Sequence, residues 1–333
     1  RTRTNIMKTA IITGITGQDG SYLSELLLEK EYNVIACHRR SSTNNFNRIN
    51  HLLSNPRYKL NEFDLTDPSG VTQTVNKYQP DEFYNLAAQS HVGTSFKQPS
   101  TTFEINSIGV TNILEAIRHH SPHTKLYQAS TSEMFGRNYS SEKDGKKYQN
   151  ENTEMLPQSP YGVSKLASHN MVEIYRSAYG LFACCGILFN HESARRGENF
   201  VTRKITNYIG KLARGETKEP LKLGNLEAHR DWGHAKDYVR AMWMMLQHSE
   251  AKDFVIATGE THSVQEFLDL AFKSVQLNPE EHVKIDPNLF RPAEVDYLCG
   301  DATLAKEKLG WVPNMNFNDL IEDMVKSDVQ KLR

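Results

Sequence analysis

Tyr161 and Lys165 stand four residues apart in Ser159-Pro160-Tyr161-Gly162-Val163-Ser164-Lys165. On a helix that spacing stacks them on one face, one turn apart. The pair has a chemical use. A phenol with an unperturbed pKa of about 10 is a poor base at neutral pH, and an ammonium fixed within a few ångströms favours the phenolate. Upstream, Ser130-Thr131-Ser132-Glu133 supplies hydroxyls and a carboxylate. It follows the apolar run Lys125 to Ala129, which reads as a buried strand. The cluster then sits at that strand's carboxyl end, where open α/β sheets hold their ligands. An isolated Tyr-x-x-x-Lys is ordinarily a surface pair on a helix, but this one shares the chain with a nucleotide-binding pattern.

That pattern opens the chain. Lys8-Thr9-Ala10-Ile11-Ile12-Thr13 is an apolar, β-branched strand, Gly14-Ile15-Thr16-Gly17-Gln18-Asp19-Gly20 is a glycine loop, and Ser21 to Glu31 has helical periodicity. Glycines at this spacing let the backbone approach a pyrophosphate at a helix N-terminus. An ordinary tight turn would need only one of them. The second strand, Asn33 to Cys37, ends in His38-Arg39-Arg40-Ser41-Ser42, where an enzyme binding a free ribose 2′-hydroxyl carries an acidic residue. Arginines there suit a 2′-phosphate and select NADP over NAD. Tyr58 to Glu62 reads as a third strand, and Asp64-Leu65 after it is placed to lie against the adenine. A fourth strand, Glu82 to Leu86, runs into Ala87-Ala88-Gln89-Ser90-His91, whose small residues suit a close cofactor. Helical patterns at Thr101 to His120 and Pro160 to Tyr179 lead to a fifth strand at Lys125 and a sixth at Phe182 to Leu188. Strands alternating with helices predict an α/β fold, a Rossmann-type, doubly wound parallel sheet.

With 333 residues the chain suits one large or two modest domains, and its charged and apolar fractions are those of a soluble globular protein. A formal net charge of −1, with both signs interspersed, argues against a nucleic-acid binder, so any bound anion must be held by local arginines. No apolar run approaches the roughly 18 residues of a membrane span. The basic start is followed by too short an apolar stretch for a signal peptide, which points to the cytoplasm. The six residues before Met7 read as an extension outside the fold. Cys37, Cys184, Cys185 and Cys299 lack metal-ligand spacing and read as reduced core thiols.

Beyond Leu188 the pattern changes. A loop, Asn190-His191-Glu192-Ser193-Ala194-Arg195-Arg196-Gly197, precedes a helix from Asn199 to Arg214 and then shorter mixed elements. We read residues 7–190 as the dinucleotide-binding domain carrying the reactive groups. Residues 191–333 read as a smaller C-terminal α/β substrate-binding domain, with some elements returning to the first. Arg230 and Arg291 lie there in turn contexts, and an arginine fork binds a diphosphate bidentately. Each alone is equally suited to a surface ion pair. The polar stretch Arg137 to Met155 reads as a loop, either a lid or a solvated excursion.

Taken together, Gly14-x-x-Gly17-x-x-Gly20 and Tyr161-x-x-x-Lys165 resemble the extended short-chain dehydrogenase/reductases. Within them, Ser130 to Gly136, Leu188-Phe189-Asn190-His191-Glu192-Ser193 and Arg230-Asp231-Trp232-Gly233-His234-Ala235-Lys236-Asp237-Tyr238 resemble the GDP-mannose 4,6-dehydratase family across nearly the whole chain. Related dTDP-glucose dehydratases carry Asp before the catalytic Glu, where this chain has Ser132. The chain departs from the family in Ala194, where Pro is usual, in a longer lid segment, and in Glu31, where a helix-ending Gly is common.

The resemblance implies a hydro-lyase that converts GDP-mannose to a 4-keto-6-deoxy sugar with NADP as a recycled cofactor. It assigns Tyr161 to the C4 hydroxyl proton, Lys165 to the tyrosine and the nicotinamide ribose, Thr131 to the reacting hydroxyl, and Glu133 to the C5 proton. Thr16, Gln18, Asp19, Ser41, Leu86, His191 and Arg196 join the cofactor contacts already named. Ser90, Ser132, Asn190, Val201, Lys204, Gly224, Arg230, Arg291 and Glu294 would line the GDP-sugar site. Two other readings use the same fold. A nucleotide-sugar reductase or epimerase has no use for a carboxylate at 133, and a non-catalytic dinucleotide sensor needs neither it nor the Tyr-Lys pair. The two long helices lead us to expect a homodimer, and the Arg39 to Arg48 loop a further contact that makes a homotetramer. The same chemistry run backwards with NADPH would reduce the 4-keto product to GDP-rhamnose.

Overall fold

The computed structural model describes residues 6–331. The expected extension before Met7 therefore lies, except for Ile6, outside the described residues. By their mutual contacts the residues form two compact units, each assembled from separate stretches of chain. Of the described residues, the first comprises 6–134, 159–187 and 239–254, and the second 135–158, 188–238 and 255–331.

In the first unit the order begins β1 (Thr9–Thr13), α1 (Gln18–Glu29), β2 (Asn33–His38), β3 (Tyr58–Glu62), α2 (Pro68–Tyr78) and β4 (Glu82–Asn85). Short helices α3 (Val92–Lys97) and α4 (Pro99–Phe103), a π turn at Glu104–Ile108 and α5 (Gly109–His120) lead to β5 (Lys125–Thr131). Then come α6 (Pro160–Tyr179), β6 (Ala183–Leu188) and β7 (Phe254–Ile256), of which Leu188, Val255 and Ile256 are counted to the second unit. The seven strands lie in the order β7-β6-β5-β4-β1-β2-β3. β1 pairs in parallel with β2 and β4, β2 with β3, and β4 with β5. The strand order reverses between β1 and β4, the switch point at which such sheets hold a dinucleotide. Strands covered on both faces must be apolar throughout, and Ala10, Ile11 and Ile12 are all fully buried. One face packs Ile11, Phe83 and Leu126 against Ile113, Leu114 and Val172 from α5 and α6.

Local chemistry explains several boundaries. α6 starts where Ser159 Oγ accepts the Gly162 N–H at 3.0 Å with Pro160 in the first turn, and stops at Gly180, whose φ is 66°. α1 begins at Gln18, three residues before the expected Ser21. The last glycine of the loop is thus already helical. The expected single helix from Thr101 is divided, because Asn106 and Ser107 turn inward through the π turn. The structure also adds α2, capped by Asp67, whose side chain accepts the Ser69 N–H.

In the second unit, the strand Asn190–Glu192 pairs in parallel with Trp232–His234. A separate core gathers Trp232, Phe267 and Phe317, the first and last stacked at 6.0 Å and 8°. Arg203 and Asp328 form a buried ion pair at 2.8 Å between the helices Val201–Ala213 and Phe317–Gln330. The stretch read as a loop, Arg137 to Met155, contains a β-hairpin, Ser141–Lys143 with Lys146–Tyr148. Asp144 and Gly145 at its tip have φ of 53° and 72°, a turn in which both residues have positive φ. The four cysteines are free and buried. Among the described residues no helix is long and apolar enough to cross a membrane.

Candidate active site

The first unit brings four strand ends together around the switch point. The glycine loop after β1 has a division of labour. Gly14 holds φ of 68°, and a Cβ there would meet Ala87 N at 2.9 Å. A Cβ on Gly20 would collide with the Gly14 carbonyl, so this glycine allows α1 to pack on the strand. Gly17 would meet only Gly14 O, at 3.3 Å, and otherwise faces open space. That is the position at which a pyrophosphate can approach the backbone. Arg48 fixes the same loop by donating Nη1 to Thr16 O at 2.9 Å. Gln18 donates to the side chain of Asp19 at 3.2 Å.

At the end of β2, Arg39, Arg40 and Ser41 are exposed and line a cleft of about 270 Å³ with Thr16 and His38. Its positive lining suits a phosphate, although Glu62 on β3 contributes one opposing carboxylate. Beyond β3, Asp64 accepts from Thr66 N and Oγ1 at 2.9 and 2.8 Å, and Asn112 donates to Leu65 O at 2.7 Å. Both interactions order the segment expected beside the adenine.

After β4, Leu86 and Ala87 donate their N–H groups to Thr13 Oγ1, each at 3.0 Å. Ala88, Gln89 and Ser90 continue the turn. Gln89 is held on both backbone groups by Asn106, which accepts its N–H and donates to its carbonyl, each at 3.0 Å. Asn106 also donates to Ser164 Oγ at 3.0 Å, and Ser107 donates to Ser164 O at 2.9 Å. The π turn therefore ties the β4 loop to the part of α6 that carries the Tyr-Lys pair. Our sequence reading missed Asn106. Its signal was two adjacent polar residues inside a helical pattern, and π turns of this kind recur at functional sites.

β5 ends at Thr131, and a 3₁₀ turn, Ser132–Met134, follows at once. Thr131 Oγ1 accepts the Glu133 N–H at 3.2 Å, which holds the half-buried Glu133 on this turn. Tyr161 and Lys165 are buried on successive turns of α6. Lys165 Nζ donates to Ala129 O at 2.9 Å, and burial pushes its pKa down to about 8. Near pH 7 the amine is thus still mainly charged, as its expected role requires. The assembly can lend a positive charge to a phenol and place a hydroxyl and a carboxylate at one strand end.

The second unit holds the other expected residues. His191 stacks on Tyr238 at 4.6 Å and 14°, and its Nδ1 lies 2.8 Å from Phe189 O. Arg196 donates Nε to Glu192 at 3.1 Å and covers the Phe200 ring at 3.6 Å. Asn190 pairs in register with Trp232, and Val201 and Lys204 lie half-buried on one helix. Arg230 donates Nη1 to His229 O and Val295 O, each at 2.8 Å, leaving Nη2 3.8 Å from Glu294. Gly224 lets the Leu289 backbone come close, since a Cβ would meet Leu289 O at 3.0 Å. Arg291 is half-buried in the segment following Leu289. Here the structure brings together Arg230 and Glu294.

Comparison with known proteins agrees with this architecture. Residues 11–324 match the family described as GDP-mannose 4,6 dehydratase. GDP-mannose 4,6 dehydratase 2 of Arabidopsis thaliana is 52% identical over 334 residues, covering 97% of this chain and 87% of that protein. The human GDP-mannose 4,6 dehydratase is 47% identical over 349 residues, covering 97% and 92%. Among solved structures, DesIV, a dTDP-glucose 4,6-dehydratase of Streptomyces venezuelae with NAD and TYD bound, superposes with a TM-score of 0.84 at 21% identity, covering 96% of each chain. At that identity the likeness speaks for the fold.

Proposed function

We infer the reaction from one premise: this chain belongs to the GDP-mannose 4,6-dehydratase family. It is a hydro-lyase that removes water from GDP-mannose to give GDP-4-keto-6-deoxy-mannose. The observation that carries this reading is Glu133, a carboxylate-bearing residue whose backbone N–H is held by Thr131 Oγ1 in the same unit as Tyr161 and Lys165. A simple reductase or epimerase needs the Tyr-Lys pair and has no task for that carboxylate.

The residues divide the work by chemistry. Tyr161, as phenolate beside the Lys165 ammonium, takes the C4 hydroxyl proton while Thr131 hydrogen-bonds the same oxygen. The resulting ketone acidifies the neighbouring C5–H. Glu133 removes that proton and protonates the leaving C6 hydroxyl, so one carboxyl group serves as base and then as acid. A nicotinamide dinucleotide, when bound, would supply the redox chemistry that these side chains lack, as hydride acceptor at C4 and donor at C6. The glycine loop, Asp64-Leu65 and the Leu86 to Ser90 turn hold that cofactor. By the family likeness, His191 and Arg196 are further cofactor-binding residues. Arg39, Arg40 and Ser41 favour NADP by pairing with its 2′-phosphate. Asn190, Val201, Lys204, Gly224, Arg230, Arg291 and Glu294 bind the GDP-sugar, with Ser90 and Ser132 beside the hexose.

Turnover of GDP-mannose by purified protein, with and without added NADP, tests the reading. A 4-keto product with no net change in nicotinamide absorbance supports an internal hydride transfer. Consumption of one reduced or oxidised cofactor per sugar would make the protein a reductase or oxidase. The same machinery, loaded with NADPH and given the keto sugar, can deliver hydride to C4 with Tyr161 as proton donor, forming GDP-rhamnose. Incubating the product with excess NADPH and finding no reduced sugar by chromatography confines the enzyme to dehydration.

A further inference from the structure

We propose that His169 is a positioning residue of this site, clamping the Ser130 end of β5 to the turns of α6 that follow Lys165. The proposal rests on the dehydratase reading for its kinetic readout. Tyr161, Lys165 and His169 recur every fourth residue, so the imidazole continues the face that carries the Tyr-Lys pair. Its Nδ1 lies 2.9 Å from Ser130 Oγ, and its Nε2 lies 3.8 Å from Asp253 Oδ2. His169 and Ser130 are each 5% exposed.

Asp253 is itself immobilised. Arg176 donates Nη1 and Nη2 to its two oxygens, each at 2.9 Å, and the Cys185 N–H donates to Oδ1 at 2.7 Å. The Asp253 carboxylate, 3.8 Å from Nε2, lies beyond hydrogen-bond reach but favours the tautomer with its proton on that nitrogen, and we assign Nδ1 as the lone pair facing Ser130. The Ser130 hydroxyl therefore donates. Burial lowers the imidazole pKa, in keeping with a neutral ring.

Ser130 sits between two groups the reaction uses. On one side is Ala129, whose carbonyl takes the Lys165 ammonium, and on the other is Thr131, whose hydroxyl takes the Glu133 N–H. Removing the acceptor at His169 leaves the buried Ser130 hydroxyl only the weaker Cys185 sulfur as a partner and frees the strand end to move against Lys165. Displacement of reacting groups by about 1 Å can cost on the order of 10²-fold in rate.

Steady-state kinetics on the full-length enzyme with GDP-mannose test the clamp. We expect His169→Leu to lower kcat by roughly 10- to 100-fold with KM unchanged. His169→Asn, which keeps an acceptor near the Nδ1 position, should recover most of that loss. Because the two residues act as a unit, Ser130→Ala combined with His169→Leu should be no slower than the slower single variant. An unchanged kcat in His169→Leu, no rescue by Asn, or additive losses overturn the proposal. Should His169→Leu fail to fold, Ser130→Ala carries the same kcat expectation. If wild-type protein does not turn over GDP-mannose, the functional reading fails first, and ¹⁵N-histidine NMR decides the clamp. Nδ1 of His169 should then resonate as the unprotonated nitrogen and shift in Ser130→Ala, and the absence of either signature overturns it.

Discussion

Lys165 Nζ lies 2.9 Å from the carbonyl oxygen of Ala129, and the side chain that reaches it is 4% exposed. A charge is thus held out of water at the end of β5 with a neutral acceptor, which is why burial pushes its pKa down from 10.5 to about 8. Below that pH the ammonium is present and can favour the Tyr161 phenolate. As pH rises through about 8 the charge is lost, and kcat/KM should fall with it. Stability moves the other way. Between the folded value and the ordinary 10.5 the unfolded chain binds the proton more tightly, so the folded state gains with rising pH. Lys165→Met should accordingly raise stability at pH 7 by on the order of 1–2 kcal/mol while abolishing turnover. Thermal melts and a pH–rate profile check both limbs; a lower melting temperature for Lys165→Met at pH 7 would contradict the cost assigned to the buried charge.

Glu133→Gln should separate oxidation from water loss. Removing one general base typically costs about 10² to 10⁴ in rate, and the glutamine keeps the N–H to Thr131 that positions the turn. A single turnover should therefore still reduce the bound cofactor, seen as nicotinamide absorbance, and then stall. Release of water from the sugar at the wild-type rate would remove Glu133 from its role.

Arg39 and Arg40 line the β2 cleft together with Glu62. A charge-assisted hydrogen bond contributes about 1.5–3 kcal/mol, so replacing both arginines by alanine should weaken NADP by at least about tenfold more than NAD. Titration calorimetry with the two cofactors distinguishes them. Parallel losses would mean that these arginines do not read the 2′-phosphate.

The parts of this design legible in the sequence are those with local causes. Gly14, Gly17 and Gly20 are demanded by close backbone packing, and Ile11, Ile35 and Phe83 by burial, so the loop and the strands could be placed from residue types alone. The π turn was not legible, because its cause is the contact of Asn106 and Ser107 with Ser164, far along the chain. The pairing of Ser130 with His169, 39 residues apart, is of the same kind. Asp144-Gly145 is a different case. The dipeptide is a strong hairpin signal, but the surrounding charged residues obscured the strands on either side.

Phe103, Ile108, Val163 and Ile174 are large apolar residues on α4, the π turn and α6, each between 42% and 53% exposed. These helices pack on one another within the first unit. We propose that a second copy of the chain covers these residues through a two-fold interface. Light scattering at micromolar concentration should report at least a dimer, and Ile174→Glu should shift it towards the monomer. A monomeric wild type ends the proposal.

Glu31 offers a test of backbone strain that leaves the site untouched. It follows α1 with φ of 62°, and the Tyr32 N–H bonds Leu27 O while the Glu31 N–H bonds Leu28 O, each at 3.0 Å. That pair of bonds is a Schellman motif with Glu31 at its left-handed position, where glycine carries no Cβ penalty. An L-residue in that region costs on the order of 1 kcal/mol. The exposed Glu31 side chain has little packing to lose. Glu31→Gly should therefore raise the melting temperature by about 1–3 °C, whereas Glu31→Ala, which keeps the Cβ, should change it little. An equal gain from both would mean that the benefit comes from removing the carboxylate, and that the left-handed backbone carries no measurable strain.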